Sequence, residues 1–239
     1  MKNISILLAT TNPAKQHRLR WLLEGLPLTQ VTPGEMGLGD RGPEEEGSSH
    51  EENARLKAEG WSRLLHSEHP TGPLNKPLSP ASRPGTQGKK LVISSDGGLV
   101  IPALGHQWQS LLTHRFAGEG ADDHARIERL LQLMQPYKGD ERKASWVEAL
   151  AIAEGGCTLA SWEVEGANGI LLEQPGRGPR VTGFWVFSLW YFPHLGKTYN
   201  ELDEQELEGL NDHWSQLKAL VQDFFQQPSP PSPLPMGEG

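Results

Sequence analysis

Residues 3–9, "NISILLA", form an apolar run that stops at Thr10-Thr11-Asn12-Pro13 and gives way to the helix-forming stretch "AKQHRLRWLL". Such a run is a buried strand. Asn12 is placed to accept from the first free N–H groups of the following helix, and Pro13 suits the first helical position, where no N–H is needed. The same alternation continues. "LTQVT" (28–32) and "KLVISS" (90–95) read as strands, residues 50–65 and 122–135 as helices, and "ASWVEALAIAE" with "CTLASWEVEGANGILL" as two strands joined across Gly155-Gly156. Residues 203–226 read as one helix, with Leu207, Leu210, Trp214, Leu217, Val221 and Phe224 along a single face. Strands alternating with helices predict an α/β fold.

Lys15, His17, Arg18 and Arg20 crowd the first helix. Helix starts carry partial positive charge and disfavour cations, so an anion such as phosphate, set against the N–H groups after Asn12 with Lys15 as a point charge, resolves the conflict. The other reading is an ordinary capped strand-to-helix turn. The net charge of −8 argues against generic binding to a nucleic-acid backbone. Cys157 is the only cysteine, which excludes an intrachain disulfide. No apolar run approaches the roughly 18 residues of a membrane span, and "MKNISILLATT" is too short for a signal peptide. A soluble cytoplasmic protein without membrane or nucleic-acid partners is the expectation. The Pro-, Gly- and Ser-rich stretch at about 66–90 reads as an insertion and residues 226–239 as a disordered tail, leaving an α/β domain over 1–225.

Three further segments carry chemistry. In "GSSHEENARLKA", Ser49 and Glu52 have capping-box spacing. Glu52 is either that cap or a carboxylate able to hold Mg²⁺ or polarise a water, with Asn53 and Lys57 one turn apart beside it. The remaining histidines, His50 among them, show no metal-ligand spacing and read as surface residues. In "LVISSDGG", Asp96 is either presented at the end of a strand, at the rim of a sheet, or closes an Asx turn before Gly97 and Gly98. In "THRFAGEG", Arg115 is either a solvated charge or a phosphate clamp.

The order of these segments, with "EGANGILLEQPGRG", "GFWVFSLWYFP", "GKTYNEL" and "DHWSQLKAL" after them, resembles the inosine triphosphate pyrophosphatase family from about residue 4 to 222. The resemblance implies an elongated mixed β-sheet with flanking helices in two lobes around a nucleotide cleft, often as a homodimer. It implies Mg²⁺-dependent hydrolysis of a non-canonical purine nucleoside triphosphate to monophosphate and pyrophosphate. By motif position Thr10, Thr11, Asn12 and Lys15 grip the triphosphate, with Asn53, Lys57, Ser95, Gly97 and Arg115 in the binding set. Glu52 and Asp96 place the metal and the attacking water, and Phe184, Lys197 and His213 lie near the nucleotide.

Three departures stand out. Ser95 replaces one of two adjacent acids, Phe187 stands where an aspartate is expected, and Asp212-His213-Trp214 replaces a Ser-His-Arg motif associated with reading the purine. The expectation is therefore a pyrophosphohydrolase with altered base preference. The alternative is a weak or inactive relative that binds a nucleotide or another anion. His213 is either a ligand contact or a boundary histidine. Trp185, Trp190, Tyr191 and Trp214 either stack on a base or fill the interior.

Overall fold

The computed structural model describes residues 4–38, 42–43, 46–66, 89–118 and 120–227. The insertion expected at about 66–90 falls almost entirely outside the described residues, as does the tail beyond Gln227. The described chain forms two compact units. The first holds the residues up to Asp96, Ala149–Glu163 and those from Leu217 onward, and the second holds Gly97–Glu148 and Val164–Gln216.

In the first unit, strand β1 (Ile4–Leu8) lies parallel to β2 (Leu28–Val31) on one side and to β3 (Lys90–Val100) on the other, with Leu7 opposite Val31 and Val92. Strand β4 (Lys143–Glu154) follows in the order β2-β1-β3-β4, and β5 (Cys157–Glu165) pairs with β4. The turn between β4 and β5 is made by Gly155 and Gly156, both at positive φ (61° and 87°), which suits the expected hairpin. Ala149, Ala151 and Ala153 share one face of β4 and Leu150 and Ile152 the other, and all five are buried. That pattern belongs to a strand covered on both sides.

Helix α1 (Pro13–Leu22) starts as expected, with Asn12 as its cap. Helix α2 (His50–His66) turns Ala54, Ala58 and Trp61 into the same core as Leu7, Val92 and the β4 alanines. The small side chains at 54 and 58 let the helix lie close to the sheet.

In the second unit the strand order is β4, β6 (Gly169–Leu171), β7 (Trp190–Phe192) and β8 (Lys197–Thr198), with the last three pairings antiparallel. Parallel pairs in the first unit and antiparallel pairs in the second make the sheet mixed, and with α3 (Asp123–Leu133) and the helices at the carboxyl end the α/β expectation is met. Arg142, only 4% exposed, ties this unit together by donating to the carbonyls of Met134, Tyr137, Leu171 and Leu172 at 2.6–3.2 Å.

Two expectations need correction. The strand read over 90–95 continues through Asp96-Gly97-Gly98 to Val100. The glycines permit this because a Cβ on Gly98 would stand 2.1 Å from the carbonyl oxygen of Ser110, so only a residue without a side chain fits. The helix expected over 203–226 is two helices, α4 (Glu204–Leu210) and α5 (His213–Gln226). Asn211 ends α4 in the left-handed conformation (φ 49°), and Asp212 Oδ1 accepts from Ser215 N at 2.8 Å to start α5. The apolar periodicity runs through the break and concealed it.

Replacing Arg142 with Leu should strand buried carbonyls and lower unfolding free energy by about 3 kcal/mol, measured by urea denaturation against wild type.

Candidate active site

The first unit brings Asn53, Lys57 and the charge of Lys15 to bear on one carboxylate and its strand. Asp96 occupies β3, its side chain 16% exposed. Its Oδ2 lies 2.8 Å from His50 Nδ1 and accepts from Asn53 Nδ2 at 3.2 Å. Lys57 Nζ donates to the backbone carbonyl of Ser95 at 3.2 Å. His50, Asn53 and Lys57 sit at i, i+3 and i+7 of α2, so one helical stripe faces the Asp96 segment of β3. The Asx-turn reading of Asp96 fails, since the residue lies inside a strand.

Burial is the largest influence on the Asp96 carboxyl and favours its neutral form. The bond from His50 and the positive charges of Lys15 and Lys57 outweigh it and hold the group at about 2. Asp96 is therefore an anion at neutral pH. Its Oδ1 makes no hydrogen bond among the described residues.

Lys15 is buried although it belongs to the first turn of a helix. Its charge acts on Asp96 and favours the ionised carboxyl. Asn12 Oδ1 accepts from the N–H groups of Ala14 (2.9 Å) and Lys15 (3.3 Å), so the donors expected to meet a phosphate are already satisfied. Thr10 Oγ1 accepts from Asn12 N at 3.2 Å and buttresses the cap, while Thr11 is exposed.

Glu52 performs the capping role with a shift of one residue. Its N–H donates to Ser49 Oγ (3.1 Å), but its Oε2 returns to the N–H and Oγ of Ser48, both at 2.7 Å. Those bonds hold its pKa below the usual glutamate value, so Glu52 is also ionised. Its Oε1 makes no hydrogen bond among the described residues. Ser95 is buried and its Oγ has no hydrogen-bond partner there, so it offers no substitute for a second carboxylate.

The remaining predicted residues belong to the second unit. Arg115 is exposed and its guanidinium makes no ion pair among the described residues. Lys197 donates to Glu206 Oε1 at 2.6 Å, a bond that raises its affinity for the proton and sets an internal anion against its charge. Gly97 packs against β4, where an added Cβ would lie 2.1 Å from Glu148 Oε2 and 2.7 Å from the Val147 carbonyl.

Phe184 and His213, expected near a nucleotide, are buried in an aromatic cluster around Phe187. Ring centres lie 5.0 Å away for Phe184 and Trp146, 4.4 Å for Tyr199 and 6.3 Å for His213. Asp212 Oδ2 accepts from the Tyr199 hydroxyl, and its Oδ1 caps α5. Trp190 is fully buried and donates to the Ala144 carbonyl at 3.0 Å. Trp185 and Trp214 are also buried, so these indoles fill the interior.

His50 was missed as a site residue. It was read as a surface histidine, yet it is 5% exposed. The available signal was its position on the stripe that carries Asn53 and Lys57.

Among the described residues no three His, Cys, Asp or Glu side chains gather closely enough to hold a metal on their own. Magnesium does not require such a cage, because it commonly takes one or two carboxylates and completes its shell with water and phosphate oxygens. An ionised Asp96 with Oδ1 available fits that donor set. Among the described residues no helix is long and apolar enough to cross a membrane.

The α/β fold thus sets a buried, ionised carboxylate against imidazole and amide donors, with the charges of Lys15 and Lys57 acting on it. The sequence profile of the Ham1 family matches residues 6–222, and the chain belongs to that family. It is 32% identical over 233 residues to a dITP/XTP pyrophosphatase of Thermus thermophilus, covering 96% of both chains. It is 31% identical over 225 residues to one of Acidobacterium capsulatum, covering 91% of this chain and 97% of the relative. Among solved structures, a HAM1 protein from Coxiella burnetii aligns with a TM-score of 0.67 at 25% identity, over 92% of this chain and 99% of that one. A dITP/XTP pyrophosphatase from Mycobacterium abscessus aligns with a TM-score of 0.59 at 25% identity, over 91% and 98%.

Two outcomes follow from the geometry. The carboxyl of Asp96 titrates lower in the folded than in the unfolded protein, so the stability it contributes is present above about pH 4 and lost as pH falls through about 2. Asp96→Asn should therefore destabilise by about 2 kcal/mol at pH 7, and the gap from wild type should narrow below about pH 4 and close below about pH 2 in denaturation curves taken across pH. Gly97→Ala should lower stability by about 1–3 kcal/mol, because Glu148 and β4 must shift, and a thermal melt will read the loss.

Proposed function

We propose that the chain is a nucleoside triphosphate pyrophosphohydrolase acting on inosine- or xanthosine-type or otherwise altered nucleotides, with relaxed discrimination among bases. The observation that carries the reading is Asp96, an ionised carboxylate whose Oδ2 is occupied by α2 donors and whose Oδ1 is available, with the charges of Lys15 and Lys57 acting on it. The names of the Thermus and Acidobacterium relatives supply the reaction class.

In this proposal Asp96 Oδ1 holds Mg²⁺, with Glu52 as the second acid. When bound, Mg²⁺ would neutralise charge on the phosphate oxygens and lower the pKa of coordinated water. Lys15 and Lys57 offset the negative charge of the triphosphate, with Thr10, Thr11, Asn12 and Asn53 shaping the polar surroundings. Water adds to the α-phosphorus and gives up a proton to solvent, the bond from that phosphorus to the α,β-bridging oxygen breaks, and pyrophosphate departs with that oxygen, its charge balanced by cations. Little covalent assistance is needed for this chemistry, which depends on positioning and electrostatics.

Relaxed base selection is supported by the second unit. At the positions resembling the purine-reading motif, Asp212 is engaged by Tyr199 and Ser215, and His213 is enclosed by aromatic rings. Selection by an apolar surface reaches about 10²-fold, whereas buried groups that must be satisfied by the base reach about 10⁴–10⁵.

The test is pyrophosphate release from ITP, XTP, dITP and ATP with Mg²⁺. The expected ratio of kcat/KM between dITP and ATP is at most about 10², and a ratio of 10⁴ would refute the relaxed selection. Asp96→Asn and Lys15→Ala should each lower kcat about 10²–10³-fold. The buried Ser95 in place of an acid favours one rival, a family member that binds without turnover. No hydrolysis by wild type, combined with a melting temperature raised by ITP, would establish it.

A further inference from the structure

We infer that His50 is a positioning residue that fixes the Asp96 carboxylate so that only Oδ1 faces a divalent cation. The inference rests on the proposed role of Asp96 and adds a residue to it. Both donors to Asp96 converge on the same oxygen, His50 Nδ1 at 2.8 Å and Asn53 Nδ2 at 3.2 Å. A carboxylate facing Nδ1 requires the proton on that nitrogen, which sets the tautomer of His50.

The donors are anchored in turn. Asn53 Oδ1 accepts from Gly47 N at 2.8 Å, which orients the amide so that its nitrogen points to Asp96. An added Cβ on Gly47 would stand 2.7 Å from that Asn53 oxygen, so the loop closes tightly over it. His50 opens α2 and is 5% exposed, so its ring is held by packing.

The physical consequence lies in the denticity of Asp96. An unrestrained carboxylate rotates about χ2 and offers either oxygen, or both together. With Oδ2 held from two sides, rotation is blocked and the group binds through one oxygen in one direction. Magnesium demands near-octahedral geometry and tolerates misplacement poorly, so a single fixed oxygen suits it. Partners that orient metal-ligating groups typically change affinity or activity 10–100-fold when removed.

The experiment compares wild type with His50→Phe, which keeps a planar ring and loses the donor, and His50→Asn, whose amide nitrogen lies near the place of Nδ1. Free Mn²⁺ is counted by electron paramagnetic resonance in the presence of an α,β-methylene triphosphate analogue, and kcat and KM are measured with Mg²⁺. His50→Phe is expected to raise the Mn²⁺ dissociation constant about tenfold and lower kcat about tenfold, with KM for the triphosphate within about twofold. His50→Asn should recover most of both losses. A folded His50→Phe with wild-type Mn²⁺ affinity and kcat, or His50→Asn as impaired as His50→Phe, overturns the inference.

A measurement on wild type stands independent of variant folding. In ¹⁵N spectra the proton on His50 Nδ1 is expected to persist after Mg²⁺ and the analogue are added, and its loss overturns the proposal. Absence of wild-type hydrolysis refutes the pyrophosphohydrolase reading alone, and the Mn²⁺ arm still decides the role of His50.

Discussion

A carboxylate kept ionised in the interior is the constraint around which the first unit is organised. Dehydration alone would push Asp96 toward its neutral form. The imidazole of His50 and the positive charges of Lys15 and Lys57 reverse that preference. Because those groups come from α1 and α2, the site depends on both helices being docked on the sheet. The alanines at 54, 58, 149, 151 and 153 contribute to that docking by leaving little between helix and strands. Core composition and site chemistry are thus connected.

The second unit follows a different logic. Its interior is a set of rings around Phe187, and two of its indoles have internal partners: Trp146 Nε1 donates to Glu148 Oε2 at 2.8 Å, and Trp190 donates to Ala144. Positions where the family resemblance expects polar recognition are either aromatic or, like Asp212, committed to holding the chain. Asp212 ends up with a structural task, joining the Tyr199 hydroxyl to the start of α5. The positions that the resemblance assigns to base recognition serve packing and capping in this chain.

Much of the fold was legible because its signals are local. Asn12-Pro13 announced α1 through cap chemistry that needs no tertiary partner, and the paired glycines at 155 and 156 announced a hairpin through backbone freedom. The errors arose where the deciding contact was distant. Asp96-Gly97-Gly98 resembles a turn until Ser110 and Glu148 are seen pressed against the glycines. The break at Asn211 was hidden because residues on either side keep one apolar phase. Within the site, Asp96 and Lys15 were visible as charged residues in suggestive contexts. His50 was not, because a single histidine in a capping segment carries no signal until β3 brings a carboxylate to it.

The cap on α1 has a consequence for how any ligand is received. Asn12 already closes the end of that helix, and Thr10 steadies Asn12, so the turn has its final shape before anything arrives. A polyanion bound there, as proposed, would meet a helix start whose cap is already formed among the described residues. Binding at such a start would release water and counterions while leaving the cap bonds as they are.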